Sequence, residues 1–399
     1  MKILMVSPAP THPPIAGNRA RILTLADGLM AAGHELHFAW AALEDGDRIA
    51  MMKHFDGRFT ELMYRAPKTV NGVAARWRRG VLRRMRHASA HVWGVDDWYD
   101  SGLTDQLAVL QAQHKFGAVF VEYVFMSKAL EVFPAEVVKV IDTHDRFADR
   151  HLHYLRAGKQ PEWFATTQAG ERKGLARADV VVAIQDSEAR LFAAALPGHT
   201  RVTTVGHLLD MSQSALMANV PRAIFVASAN SINVDAANTF IADALPLIRA
   251  DLPDFELWLA GDVCLDALDA PGVHKMGRVD SVAQTYAQGM LAVNPVRMGT
   301  GLNIKTMECL ALGVPLVATE SGSRGLENLR GRAFLAVADN DAAAMAAGVI
   351  RVLRDPELRA SLVHEALVAA REWNAAQLAN LAAALQPSSP RAIQKAARV

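Results

Sequence analysis

The chain has two cysteines, Cys264 and Cys309, far apart and with no CxxC or Cys/His spacing around them. That excludes a disulfide framework, argues against a structural zinc site, and fits a reducing compartment. An excess of charge of one sign is also lacking: 42 Lys and Arg stand against 41 Asp and Glu, so no global field draws in nucleic acid or a membrane and any basic function is local. Long apolar runs are missing too. The opening Met1–Pro10 has one charge and only a few apolar residues before two prolines, too short for a signal peptide. No later stretch reaches the roughly 18 uninterrupted apolar residues that a membrane span needs. Together these absences predict a cytoplasmic protein, soluble or at most peripheral to the inner membrane face. No repeat with a period of 20 to 50 residues is visible.

What is present suits two domains. A chain of 399 residues is too long for one ordinary core, and 51% hydrophobic residues supply enough apolar surface for two. Buried parallel strands are expected at Ile3–Val6, Leu36–Ala41, Ala118–Glu122, Val137–Asp142 and Val180–Ile184, with a helix from about Ala20 to Ala32 closed by Gly33. A second alternation runs through Ala223–Ala227, Phe255–Ala260, Met290–Pro295 and Pro315–Thr319, with helices at about Asp235–Arg249 and Ile304–Leu312. Strand, loop, helix, strand order makes right-handed parallel units with a ligand crevice at the strand C-termini. The expected division is 1–205, 206–370, a helix at 371–386 packing back on the first domain, and a frayed tail at 387–399.

The most informative stretch runs from Asn294 to Thr319: strand, glycine loop, short helix, strand. Gly299 and Gly301 let the backbone approach a ligand closely, and the helix opening near Asn303 directs unpaired N–H groups and its positive end at that loop. An anion is the natural guest. Lys305, in the first helical turn, opposes the dipole of its own helix, an arrangement that makes sense with a diphosphate between them. Arg297 can add a second cation. Glu308 lies on the same helical face as Lys305 and can accept two hydrogen bonds from a ribose diol. The competing reading is a plain surface Lys/Glu pair behind an ordinary turn.

The order proline, glycine-x-glycine, Lys305, Glu308 and Leu312-Gly-Val-Pro-Leu-Val-Ala-Thr319 resembles the donor-binding signature of the family 4 glycosyltransferases. Asn233–Ala236, Leu257–Gly261 and Val273–Val279 are similar to other segments of that family, so the resemblance covers most of the chain. It implies an α/β GT-B architecture, two Rossmann-like doubly wound parallel-sheet domains facing across a cleft, and a retaining, metal-independent hexosyl transfer from a nucleotide-diphosphate sugar. By that likeness Glu308 holds the ribose, Lys305 and Arg297 the diphosphate, and Gly299, Thr300, Gly301, Leu302 and Asn303 line the donor. The Ser321–Gly325 loop would add backbone donors. Two departures stand out. Thr300 replaces a glutamate the family commonly carries, and Ala227-Ser-Ala-Asn-Ser231 replaces its usual Gly-Arg, which leaves Ser228 and Asn230 on the donor side.

In the first half, Pro14–Ala20 resembles the family's loop facing the donor phosphates and acceptor, which places Gly17 and Asn18 at the donor, with Asn18 and Arg19 able to reach a leaving phosphate; a simple turn at Gly17 is the alternative. Ile141–His151 follows an apolar strand, so its polar residues emerge at the sheet's ligand-binding edge. Asp142, His144, Asp145 and Arg146 are candidates to touch sugar or acceptor, with His144 and Asp145 placed in the catalytic set. The alternative is a solvated helix start capped by Asp142 or Thr143. His151 and His153 are expected on an exposed helix. No metal and no other cofactor is expected. Glu171–Gln185 looks like the family's closing strand of the first domain. Arg76–Arg86, six arginines interleaved with apolar residues, suits an anionic membrane surface, an acidic acceptor or plain solvent.

The acceptor on this reading is a glycan, a lipid-linked glycan or a protein, and nucleic acid is not a partner. Two rivals remain: a nucleotide-sugar epimerase of the same architecture, and a catalytically silent sugar-nucleotide-binding protein, the latter favoured by Thr300.

Overall fold

The computed structural model describes residues 1–14, 16–67, 72–84, 88–156, 160–161, 163–211, 215–299 and 302–386. The chain divides into two compact units, Met1–Leu208 with the chain from Gln377 onward, and Leu209–Ala376.

Among the described residues the first unit is built on seven strands: β1 (Lys2–Ser7), β2 (Glu35–Trp40), β3 (Phe59–Glu61), β4 (Ala118–Glu122), β5 (Val138–Asp142), β6 (Val180–Ala183) and β7 (Arg201–Thr204). They form one sheet in the order β3-β2-β1-β4-β5-β6-β7, with every pairing parallel. Ile3, Leu4, Met5 and Val6 are all fully buried, the continuous apolar run of a strand covered on both faces. The strand at Val180–Ala183 does not close the sheet as expected. β7 adds beyond it; its polar Arg-Val-Thr-Thr sequence gives no buried-strand signal.

Among the described residues the second unit has six strands: β8 (Arg222–Val226), β9 (Glu256–Ala260), β10 (Val273–Lys275), β11 (Leu291–Asn294), β12 (Leu316–Thr319) and β13 (Leu335–Val337). Their order is β10-β9-β8-β11-β12-β13, again all parallel. The expected helix at Asp235–Arg249 begins earlier, at Ser231, and is interrupted by a π-helical segment at Phe240–Ala244. Pro246 supplies the reason: lacking an N–H, it cannot extend the regular ladder, and it sits in the first turn of the helix that resumes at Leu245.

The helix Pro356–Ala384 runs through both units in sequence. Its last turns belong to the first, where Leu381, Ala384 and Leu385 join the core. Arg201 donates to the carbonyls of Ala383 (3.2 Å), Ala384 (3.4 Å) and Gln386 (2.6 Å), satisfying helix-end acceptors. The basic segment is helical over Val73–Arg84, with Trp77 73% exposed and the Arg79 guanidinium 3.9 Å from the Trp93 ring centre; Met85 and Arg86 lie outside the described residues. Among the described residues no helix is long and apolar enough to cross a membrane.

Candidate functional site

In the second unit the motif folds as a strand ending at Asn294, a loop, and the helix Ile304–Leu312. Asn303 is the residue before that helix, yet its side chain does not cap it. Its Oδ1 instead accepts from Asn294 Nδ2 at 2.8 Å, so the first-turn N–H groups keep no side-chain acceptor from the cap position. Asn294 Nδ2 also donates to the Gly322 carbonyl (2.9 Å), as does Thr306 Oγ1 (2.6 Å). The loop Ser321–Gly325 is thereby strapped to the start of the helix. Gly299 has a φ of +142°, a conformation that suits glycine. Leu302 is buried, and Thr300 and Gly301 lie outside the described residues.

Lys305 and Glu308 are not a solvated surface pair. Burial pushes the Lys305 ammonium below its ordinary range, and among the described residues no carboxylate lies within ion-pairing distance of it; Glu308 acts only at longer range. Burial raises the Glu308 carboxyl to about 7, more than the Lys305 charge restores. A helix start with a poorly hydrated cation and a carboxyl poised near neutrality is an arrangement that an anion and a hydroxyl pair can complete.

Three residues expected at the donor are engaged elsewhere. The Arg297 guanidinium lies 2.7 Å from Asp235 and 3.3 Å from Asn340, since a carboxylate on the Ser231–Thr239 helix claims it. Asn230 caps that helix, accepting from the N–H groups of Ile232 (3.1 Å) and Asn233 (2.9 Å), and Ser228 accepts from Asn233 Nδ2 at 3.1 Å.

At the sheet edge of the first unit, Glu122 and Asp142 are register partners at the ends of β4 and β5, both fully buried. Arg21 grips Asp142 with two hydrogen bonds, Nε at 2.7 Å and Nη2 at 2.6 Å, and donates to the Val205 carbonyl at 2.8 Å. This corrects the capping alternative for Asp142, whose carboxylate is consumed by the arginine. Burial raises the Asp142 carboxyl, but Arg21, then His144, then hydrogen bonds from Arg21 and Glu122 outweigh it and hold it low. Glu122 goes the other way, raised by burial and by the Asp142 charge.

His144, at a φ of +59°, brings Nε2 to 2.6 Å from Glu122 and 3.5 Å from Asp142, with its ring stacked at 3.9 Å on Tyr123. Burial brings its pKa down to about 4, so at neutral pH the imidazole is uncharged and shares one proton with Glu122. Glu122 and Arg21 carry no motif, though two adjacent apolar strands that both end in a carboxylate are a legible signal. Asp145 is turned to Arg150 at 3.1 Å and accepts from its neighbour's N–H at Arg146, 2.8 Å. Asn18 hydrogen-bonds Tyr123, Gly17 is the first residue of the helix Gly17–Ala31, and Arg19 holds Glu44 (3.2 Å) and the Asp45 carbonyl (3.0 Å). His151 is buried rather than exposed, and the side chain of His153 lies outside the described residues.

Glu122, Asp142 and His144 place their ligand atoms within 4.8 Å of one another, a metal-like cluster. The Arg21 guanidinium already holds Asp142 from inside, and a cation added there would face it at close range.

Comparison with known proteins agrees with this architecture. Residues 220–355 match the family described as glycosyl transferases group 1. Anabaena HepE in complex with UDP and glucose is 15% identical, covering 96% of this chain and 99% of that one with a TM-score of 0.62. A glycosyltransferase from Rickettsia africae is 12% identical over 96% and 95% (TM-score 0.61), and sucrose-phosphate synthase from Thermosynechococcus elongatus 16% over 96% and 96% (0.60). Among curated proteins no match was found. The chain has the GT-B fold, two Rossmann-like parallel-sheet domains.

Proposed function

We propose that the chain is a retaining family 4 glycosyltransferase that moves a sugar from a nucleoside-diphosphate sugar to a hydroxyl acceptor without a metal ion. One observation carries this reading: the under-compensated Lys305 at the uncapped start of the helix Ile304–Leu312, with Glu308 one turn on. The match of residues 220–355 to the group 1 glycosyl transferases supports it, as does a similar fold in a protein holding UDP and glucose.

In this mechanism the sugar–oxygen bond to the β-phosphate breaks, the acceptor oxygen bonds to the same face of the sugar carbon, and the acceptor proton passes to the departing phosphate. The protein's task is to stabilise charge growing on the diphosphate, which Lys305 and the helix N–H groups do from fixed positions. In the first unit His144, uncharged and tied to Glu122, can give or take a hydrogen bond but not a charge. Arg21 on Asp142 supports metal independence, since a cation entering the Glu122–Asp142–His144 cluster would face the guanidinium at close range.

Release of UDP from a panel of UDP-sugars, with and without glycan and lipid-linked acceptors, tests the reading. Lys305→Ala is expected to lower turnover about a hundredfold or more at saturating donor. Unchanged turnover would remove Lys305 from the role. Conversion of donor without acceptor would point to an epimerase, and tight UDP binding with no turnover at all to a silent binding protein.

A further inference from the structure

The arginine-rich helix Val73–Arg84 has no part in the donor chemistry above. We infer that it is a surface anchor that lays the first unit on an anionic lipid membrane.

The direction in which the helix faces comes first. At about 100° per residue, Val73, Trp77 and Val81 fall on one stripe, and all three are exposed, at 76%, 73% and 38%. Ala74 beside them is exposed as well. The opposite side meets the protein: Leu82 is half-buried, and the Arg79 guanidinium lies 3.9 Å from the Trp93 ring centre. A helix that serves only its own domain turns its apolar stripe inward and its cations to water. Here an arginine is turned inward and the stripe outward.

Charge is the second argument. Positions 76 and 83 fall on one side of the stripe and position 78 on the other, so arginines border it on both flanks, and the exposed Arg84 ends it. Between Glu61 and Asp96 the chain carries seven Arg and one Lys and no acidic residue. Take these eight from the total of 42, and the rest of the chain holds 34 basic residues against 41 acidic ones. The positive charge is concentrated where the apolar stripe is.

One occupant answers both features. A soluble polyanion would meet the arginines and leave the indole in water, and an apolar groove on another protein would take the stripe and leave the cations idle. A bilayer with anionic head groups accepts the indole and valines at the head-group boundary and the guanidinium groups at the phosphates. Twelve residues are too few to span a bilayer, so the helix lies in the plane of its surface.

The test is co-sedimentation of the full-length protein with vesicles of phosphatidylcholine alone, or of phosphatidylcholine and phosphatidylglycerol in equal parts. Binding is expected to the mixed vesicles, about tenfold or more tighter than to the neutral ones, and falling as salt is raised. Trp77→Ser should weaken it about tenfold or more, the loss of one buried aromatic side chain, and Arg84→Gln about fivefold, the loss of one cation near a charged surface. Leu265→Ser removes an apolar side chain of the second unit that is 76% exposed, and should change nothing. Equal binding to the two kinds of vesicle, binding unchanged in Trp77→Ser, or the same loss in Leu265→Ser overturns the proposal. So does self-association without vesicles that Trp77→Ser abolishes, which would make a second copy the partner of the stripe. No sugar nucleotide is present in these measurements, so their failure leaves the donor reading untouched.

Discussion

The two units share a parallel-sheet design and collect polar residues at the same edge, yet they balance charge in opposite ways. In the first, Arg21 meets Asp142 through two hydrogen bonds and His144 meets Glu122 at 2.6 Å, so each of these groups has a partner in contact, although Arg21 Nη1 and Glu122 Oε1 are buried without one. In the second, Lys305 has no carboxylate in contact among the described residues, and Glu308 is raised to about 7. A buried pair that answers itself holds a structure in place. A buried group left unanswered is one whose partner arrives as ligand.

The largest effect expected from breaking this contrast is on stability. Asp142→Ala leaves the Arg21 guanidinium buried without its carboxylate and should cost about 3–5 kcal/mol, seen as a lowered denaturation midpoint. Lys305→Ala removes a cation that burial disfavours, so its midpoint should stay level or rise, the usual trade between stability and activity at functional sites. Equal losses in the two variants would erase the distinction.

A smaller effect is carried by pH. The Glu308 carboxyl titrates near 7 in the folded chain against an ordinary value of 4.5. The folded state therefore binds more protons than the unfolded one between these values, and this residue's contribution to stability is lost as pH rises through about 7. Ribose recognition runs the other way, because only the ionised carboxylate accepts both hydroxyls. Uridine affinity should rise about tenfold from about pH 6 to about pH 8. In Glu308→Gln that slope should vanish, and a slope that persists would assign the titration to another group. Uridine is the right probe because it carries no phosphate that titrates in the same window.

Much of the fold was legible because parallel strands buried on both faces are written as apolar runs. Ala118–Glu122 and the helix Ile304–Leu312 have the bounds expected from sequence. The short edge strands Phe59–Glu61, Val273–Lys275 and Leu335–Val337 were not legible, since three residues are too few to show a period. The π-helical turn at Phe240–Ala244 was not read from the sequence, although Pro246 just beyond it was there to mark it.

For the site, the glycine loop and the residues Lys305 and Glu308 could be read from local order, because helix position alone fixes their geometry. Arg297 could not be placed that way. It stands beside the glycines in sequence, but Asp235, on another helix, takes its guanidinium. Arg324 stands in a later loop, and only the fold brings its guanidinium beside Gly299. Arg21 was missed for the same reason, since helix packing brings it to Asp142, whereas Glu122 could have been found from its place at the end of an apolar strand.

The central claim is that the unanswered charges of the second unit mark the diphosphate site, and hydrogen–deuterium exchange with and without UDP tests it most directly. The account predicts that UDP slows exchange in residues 297–308 and 321–325 and has little effect at 118–122 and 140–145. Protection confined to the Arg21–Asp142 region, with the Ile304–Leu312 helix exchanging as in the free protein, would contradict it.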